Sequence, residues 1–308
     1  MTTTVRVAAA QMAPVFLDRD ATVEKTCRAM VEAGRNGAQL VAFPETFVPG
    51  YPYWALVLDP LSTRHWSRRL FEQSVEIPSP ATEALCGAAR EAGVYAVVGL
   101  DEREGGTLYN TQLFIGPGGE TMGRRRKLVP TSQERMVWGR GDGRDLTTFD
   151  TPHGKLGALI CYEHSNALYR YALIAQGEEI HVANWPGGLP WINGIIDAAI
   201  RHYAFEAQAF VVNSTAVLTE EIIAALGSGG SAGRLKPGGG YSAIVAPTGR
   251  FLAGPVEDQE TILYADCDFG LIADMKMIVD SAGHYARPDV VRLVVNRAAH
   301  RPLETTED

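Results

Sequence analysis

The sequence predicts a single domain of α/β layered architecture. Apolar runs of strand length alternate with stretches of helical periodicity through most of the 308 residues. No Pro-rich or charged linker interrupts that alternation. With 46% hydrophobic and 21% charged residues, the chain has the composition of an ordinary globular protein and the length to bury a sizeable core.

The elements follow in order. Residues 5–12 open with a strand, and from about Asp20 a helix presents Val23, Cys27, Met30 and Val31 at helical spacing until Gly34 or Gly37 ends it. Residues 38–45 form a second buried strand, stopped by Pro44 as it reaches an acid, Glu45. A helix over 82–92 leads into a strand over 94–100. Strands over 109–115 and 121–128 flank GPGGE, the turn chemistry of a hairpin. Residues 154–161 form the next strand, then a helix around 167–176, a strand over 179–185, a helix around 194–208 and a strand over 209–215. YSAIVAP and TILYADCD close the pattern as strands around a PTGR turn. The glycine-rich stretch 227–240 lacks the GK[ST] of a phosphate cradle and reads as a mobile loop, and the chain beyond Pro288 ends in an acidic ETTED expected to fray.

Net charge is −8 and the pI about 5.4, which argues against a nucleic-acid partner and suits a small neutral substrate. No stretch approaches the ~18 uninterrupted apolar residues of a membrane span, and the opening MTTTVRVAAAQM reads as strand, not as a signal segment, so a cytoplasmic location is expected. Cys27, Cys86, Cys161 and Cys267 are scattered without a CxxC pair, which suggests neither a zinc site nor a disulfide framework. No metal or cofactor is expected. Cys27, Cys86 and Cys267 fall within helix or strand patterns and read as packed side chains.

Cys161 differs, because it ends an apolar run and is followed at once by polar residues. A strand's C-terminal end is where α/β proteins place ligands, yet a free cysteine is also a common core residue, and the position alone leaves both open. A thiol with its ordinary pKa of about 8.5 needs help to attack at neutral pH. His164, His153, His181 and His284 offer no compelling context for that help. Glu45, at the end of a buried strand, is costly to bury unless paired or used. The basic run 124–127 reads as a charged surface patch for its three arginines, whereas Lys127 leads into apolar Leu128, Val129 and Pro130.

Three segments in order, FPETFVPGYP, RRKLVPTSQERMVWGRGDG and GALICYEHSN, resemble the Glu, Lys and Cys motifs of the nitrilase (carbon–nitrogen hydrolase) superfamily. AAAQMAP, HVANWPG and GHYARPDVVRL resemble its nitrilase branch, so the likeness spans nearly the whole chain. The resemblance implies an α-β-β-α sandwich over residues 1–290 with a tail over 291–308, which dimerises into four layers or larger spirals. Residues 56–71, 227–240 and the tail after Gly283 are the expected subunit contacts, with His284 and Arg287 serving there and not in catalysis. It implies Glu45 as general base, Lys127 as cationic stabiliser, Cys161 as nucleophile, and a second glutamate seven residues after the lysine, Glu134. Tyr162 stands where many nitrilases have tryptophan, which bears on pocket shape.

The activity so implied is hydrolysis of an organic nitrile to the carboxylic acid and ammonia through a cysteine thioimidate and thioester, with water as co-substrate. An amidase or carbamoyl hydrolase using the same groups is the alternative. Tyr53, Trp54, Tyr162 and Trp185 are the expected substrate-pocket side chains. A non-catalytic binding protein would have lost one of the four groups, and a Cys–His peptidase would not need Glu45.

Overall fold

The computed structural model describes residues 4–227 and 230–299, and its strands and helices stack as helix, sheet, sheet, helix. In chain order they are β1 (Thr4–Gln11), α1 (Arg19–Arg35), β2 (Leu40–Ala42), α2 (Trp54–Val57), α3 (Arg64–Gln73), α4 (Pro80–Ala92), β3 (Tyr95–Glu104), β4 (Thr107–Ile115), β5 (Thr121–Arg126), β6 (Phe149–Thr151), β7 (Gly154–Ile160) and α5 (Ala167–Ile174). Then come β8 (Ile180–Trp185), α6 (Asn193–Ala207), β9 (Phe210–Thr215), α7 (Glu220–Leu226), β10 (Ser242–Val245), β11 (Phe251–Val256), β12 (Thr261–Asp268) and α8 (Gly270–Ile278). One sheet runs β12-β1-β2-β3-β4-β5 and the other β11-β10-β9-β8-β7-β6.

Each sheet has a parallel centre, β1-β2-β3 in one and β7-β8-β9 in the other, with antiparallel strands outside it. The period-2 alternation of the central strands explains the layering. Val5, Val7 and Ala9 of β1 face the second sheet, where they meet Leu156, Ile180, Val182 and Phe210. Ala8 and Ala10 face the other way, onto Met30 and Ala33 of α1 and Leu85 and Ala89 of α4. On the far side, Leu159, Ala183 and Val211 pack on Leu173 of α5 and Ile200, Tyr203 and Ala204 of α6.

Several boundaries differ from the sequence reading. Helix α1 runs through Gly34, whose lack of a side chain serves packing: a Cβ there would lie 2.6 Å from the Ala92 carbonyl oxygen of α4. Helix α4 begins earlier than expected, with Ser79 capping it and Pro80 at its first position. Helices α2, α3, α7 and α8 lie outside the sequence pattern. The described part of the glycine-rich stretch is anchored, with Ala232 and Leu235 buried beside Trp54 and Ser231 N–H donating to the Val57 carbonyl at 2.7 Å. Residues 291–299 lie on the body through Leu293 and Val295. The ETTED end lies outside the described residues.

The basic run is also not the surface patch expected of it. Alternation along β5 sends Arg124 and Arg126 to Glu102 and Glu104 of β3, while Arg125 turns inward and is buried against Glu163.

Candidate active site

Glu45 follows β2, Lys127 follows β5 and Cys161 follows β7, so three strands deliver their terminal groups to one place at the carboxyl ends of the sheets. A carboxylate oxygen of Glu45, one of Glu134 and the Cys161 sulfur all lie within 4.8 Å of one another. Lys127 Nζ bridges the acids, donating to Glu45 Oε1 at 2.8 Å and Glu134 Oε2 at 2.7 Å. The two carboxylates therefore already share a cation supplied by the chain.

Close backbone approach places Glu45. A Cβ at Gly99 of β3 would fall 2.0 Å from the Pro44 carbonyl oxygen, so only glycine lets the Glu45 turn lie this near the sheet. Thr46 takes a left-handed φ of 41° in that turn. Asn110 of β4 donates to Glu45 Oε1 at 2.6 Å, while Oε2 is buried without a hydrogen-bond partner. Glu134 sits in the 3₁₀ turn Ser132–Met136 and accepts from Tyr51 Oη at 2.8 Å and Thr131 N at 2.6 Å.

Cys161 also has a left-handed backbone, φ 52°, where a non-glycine residue costs roughly 1–3 kcal/mol. The bonds around it hold this turn. Glu163 accepts from Ile160 N and Leu128 N, both at 2.8 Å, and pairs with Arg125 Nη1 at 2.7 Å, fastening the end of β7 to the residue after Lys127. His164 Nδ1 lies 2.7 Å from the Cys161 carbonyl oxygen. The imidazole that follows the cysteine in sequence thus binds its backbone and leaves its sulfur alone.

Burial sets the protonation of this cluster. It pushes the Glu45 carboxyl up to about 7, with Lys127 opposing and Glu134 adding to the rise. Burial and the Glu45 charge hold the Cys161 thiol well above its ordinary range. Burial disfavours the Lys127 cation, but Cys161, Glu45 and Glu134 outweigh it and hold the ammonium charged well above the usual lysine range.

The cluster opens into a cavity of about 320 Å³. Tyr51, Glu134 and Cys161 line it together with Leu56, Val57, Pro186, Leu189, Trp191 and Ile192, and with the polar Thr131, Ser132, Gln133, Ser231 and Arg234. A groove of about 590 Å³ around Arg19, Cys27 and Arg103 contains none of the clustered groups.

The structure brings Glu45, Lys127, Glu134 and Cys161 together. It does not bring the four expected pocket side chains to the cavity. Tyr53 is buried with its hydroxyl on the Gly187 carbonyl at 2.9 Å, and Trp54 stacks on Trp66 in the core. Trp185 lies against His164 among core residues, and Tyr162 is 57% exposed. Adjacency to a site motif in sequence predicts pocket walls, but α2 turns its tryptophan inward, β8 turns its tryptophan away, and the left-handed turn at Cys161 throws the next side chain outward. His284 packs on Tyr285, and Arg287 pairs with Asp289 nearby.

Sequence reasoning missed Tyr51, Asn110, Arg125 and Glu163. The last two carried a legible signal, since an arginine at an inward position of a period-2 strand needs a buried acid.

The carbon–nitrogen hydrolase family model matches residues 6–277. A protein named nitrilase 3, from an unknown prokaryotic organism, is 46% identical over 96% of this chain and 91% of its own. An aliphatic nitrilase of Rhodococcus rhodochrous is 44% identical over 99% and 86%. Among solved structures, a carbon–nitrogen hydrolase from Helicobacter pylori G27 superposes with a TM-score of 0.76 at 21% identity, covering 93% of this chain and 96% of the other, a likeness of fold.

Proposed function

The chain belongs to the carbon–nitrogen hydrolase family, and on that premise we propose that it is a nitrilase, with Cys161 as nucleophile, Glu45 as general base and acid, Lys127 as cationic stabiliser and Glu134 as the group that orients Lys127. The observation that carries this reading is the cluster of these four groups, which meets one cavity through Cys161 and Glu134. Relatives at 46% and 44% identity named as nitrilases favour the nitrile over the amide.

The chemistry follows from the hydrogen bonds. Asn110 and Lys127 occupy Glu45 Oε1, so Oε2 is the oxygen left to take the thiol proton. Sulfur adds to the nitrile carbon, the proton passes to nitrogen, and a thioimidate forms. Water deprotonated by Glu45 adds next, and the tetrahedral adduct expels ammonia to leave a thioester. A second water releases the acid and restores the thiol, so R–C≡N and two waters give R–COOH and ammonia. Two of the three Lys127 ammonium protons go to the glutamates, and the third is available to the charge developing on the substrate.

The reading extends to a catalytic domain over 1–290 with a tail over 291–308, to a cytoplasmic protein whose four cysteines are free thiols, and to a homodimer or larger spiral. Exposed Met277, Ile278, Tyr285, Val291 and Val294 support such an assembly. Among the described residues no helix is long and apolar enough to cross a membrane.

Ammonia and acid release from phenylacetonitrile, benzonitrile, an aliphatic nitrile and the matching amides tests the assignment. Turnover of nitriles with acid as product is the expected result; turnover of amides alone would move the protein to the amidase alternative.

A further inference from the structure

Behind Cys161, four buried titratable groups from three segments form one chain of hydrogen bonds. His164 Nδ1 meets the Cys161 carbonyl oxygen at 2.7 Å, and its Nε2 lies 2.9 Å from Nε2 of His181 on β8. His181 Nδ1 lies 2.8 Å from Oε1 of Glu178, which precedes β8, and the Tyr203 hydroxyl of α6 bonds to Glu178 Oε2. The Tyr203 ring stacks on His181 with centroids 3.8 Å apart. None of the four lines the cavity. The room they occupy depends on Gly157 of β7, where a Cβ would fall 2.0 Å from Glu178 Oε1.

Donor and acceptor counting fixes the protons. A carbonyl oxygen only accepts, so His164 carries hydrogen on Nδ1. Burial holds both imidazoles well below the ordinary histidine range, so each carries one proton. His164 Nε2 must then accept from His181 Nε2–H, which leaves His181 Nδ1 as an acceptor. Its partner has to donate, and that partner is Glu178. Burial raises the Glu178 carboxyl to about 8, against the opposing hydrogen bond from Tyr203 and the charge of Arg125, which agrees with a neutral acid. The other charges facing this chain are Glu163 on the turn, Arg170 on α5 and Glu206 on α6.

We propose that Glu178, His181 and His164 are positioning residues for the nucleophile: the un-ionised Glu178 sets the two imidazoles in opposite tautomers, so that His164 Nδ1–H holds the Cys161 carbonyl and keeps the left-handed turn that presents the sulfur. The proposal rests on the reading of Cys161 as nucleophile. Reversing either tautomer would set a nitrogen lone pair against that carbonyl and release the turn from one of its two anchors, the other being Glu163 on the preceding N–H.

Long-range ¹H–¹⁵N spectra of the wild-type protein labelled at histidine read the tautomers directly. The expected result at pH 7 is Nδ1–H on His164 and Nε2–H on His181; an imidazolium at either, or the same tautomer at both, overturns the proposal. Glu178→Gln supplies an amide that donates to His181 and accepts from Tyr203, so kcat should stay within about threefold of wild type. Glu178→Leu removes the donor, and kcat should fall at least tenfold with KM within twofold. Equal loss in the two variants would mean an ionised Glu178 and refute the scheme.

The wild-type kcat should also decline above about pH 8 as Glu178 ionises, and Glu178→Gln should lack that decline; the same limb in the variant counts against the proposal. Should Glu178→Leu fail to fold, the spectra and Glu178→Gln still decide. Cys161→Ala assayed alongside separates the two claims: its activity surviving sinks the nucleophile reading, whereas an inactive Cys161→Ala beside a fully active Glu178→Leu sinks the positioning chain alone.

Discussion

Replacing Glu163 with glutamine should cost the protein both stability and activity, by an amount the structure sets. The Glu163 carboxylate meets Arg125 Nη1 and the N–H groups of Ile160 and Leu128, all within 2.8 Å. Arg125 and Glu163 are almost fully buried, and Glu163 is the sole acid paired with Arg125 among the described residues. The Glu163 carboxyl, raised by burial, is brought below its ordinary range chiefly by the Arg125 charge. An amide keeps the shape but turns one acceptor into a donor facing another donor, and it leaves the guanidinium without a counter-charge. Breaking a buried pair from one side costs about 3–5 kcal/mol. For a chain of this length that lowers Tm by roughly 5–8 °C. Scanning calorimetry at matched protein concentration reads it, with kcat measured on the same samples. Because the same carboxylate fastens the Cys161 turn, kcat should fall at least tenfold at temperatures where the variant is folded. The paired change Arg125→Met with Glu163→Met should regain most of the stability but not kcat. A Tm shift under ~2 °C for Glu163→Gln, or full kcat in the paired variant, would refute the view that this ion pair anchors the site.

Glu45 acts as base only when ionised, so kcat should rise with pH through about 7, and Glu45→Gln should lose the activity. The folded-state pKa values of Glu45 and Glu178 lie above their unfolded values, so the native chain binds more protons between about pH 4.5 and 8. Their contribution to stability is therefore present at acid pH and lost as pH rises through that window; urea midpoints should fall from pH 5 to 8, and less steeply in Glu178→Gln. Tyr51→Phe removes a hydrogen bond to Glu134; loss of a bond to a charged group, about 1.5–3 kcal/mol of stability, should lower Tm by roughly 2–5 °C, and kcat should fall because Glu134 holds Lys127. Tyr162→Ala should leave kcat/KM within threefold because that side chain faces outward, whereas Trp191→Ala, on the cavity wall, should change KM for bulky nitriles.

The strands that carry the site were legible because period-2 apolar runs mark buried strands, and each run ended where a polar group of suspicious burial began. Glu45, Lys127 and Cys161 are all of this kind. Glu134 entered only through spacing within a resemblance. What stayed hidden depends on pairing between distant segments: the alternation along β5 points Arg125 inward, but no local pattern says that Glu163 is the acid it meets, or that Asn110 on β4 reaches Glu45. The pocket walls depend on the same kind of distant pairing. The sequence around Cys161 places Tyr162 next to the sulfur, but a positive φ at one residue decides that its ring faces solvent. Residues 230–240 carry the composition of a loose loop, yet Ala232 and Leu235 supply enough apolar surface to seat it beside the cavity.

The most direct test of the account is turnover of the best nitrile by Cys161→Ala, with folding checked by calorimetry. A folded variant that releases no ammonia above the uncatalysed background is the predicted result. A folded variant that keeps activity within tenfold of wild type would contradict the assignment of Cys161, and with it the site built around Glu45, Lys127 and Glu134.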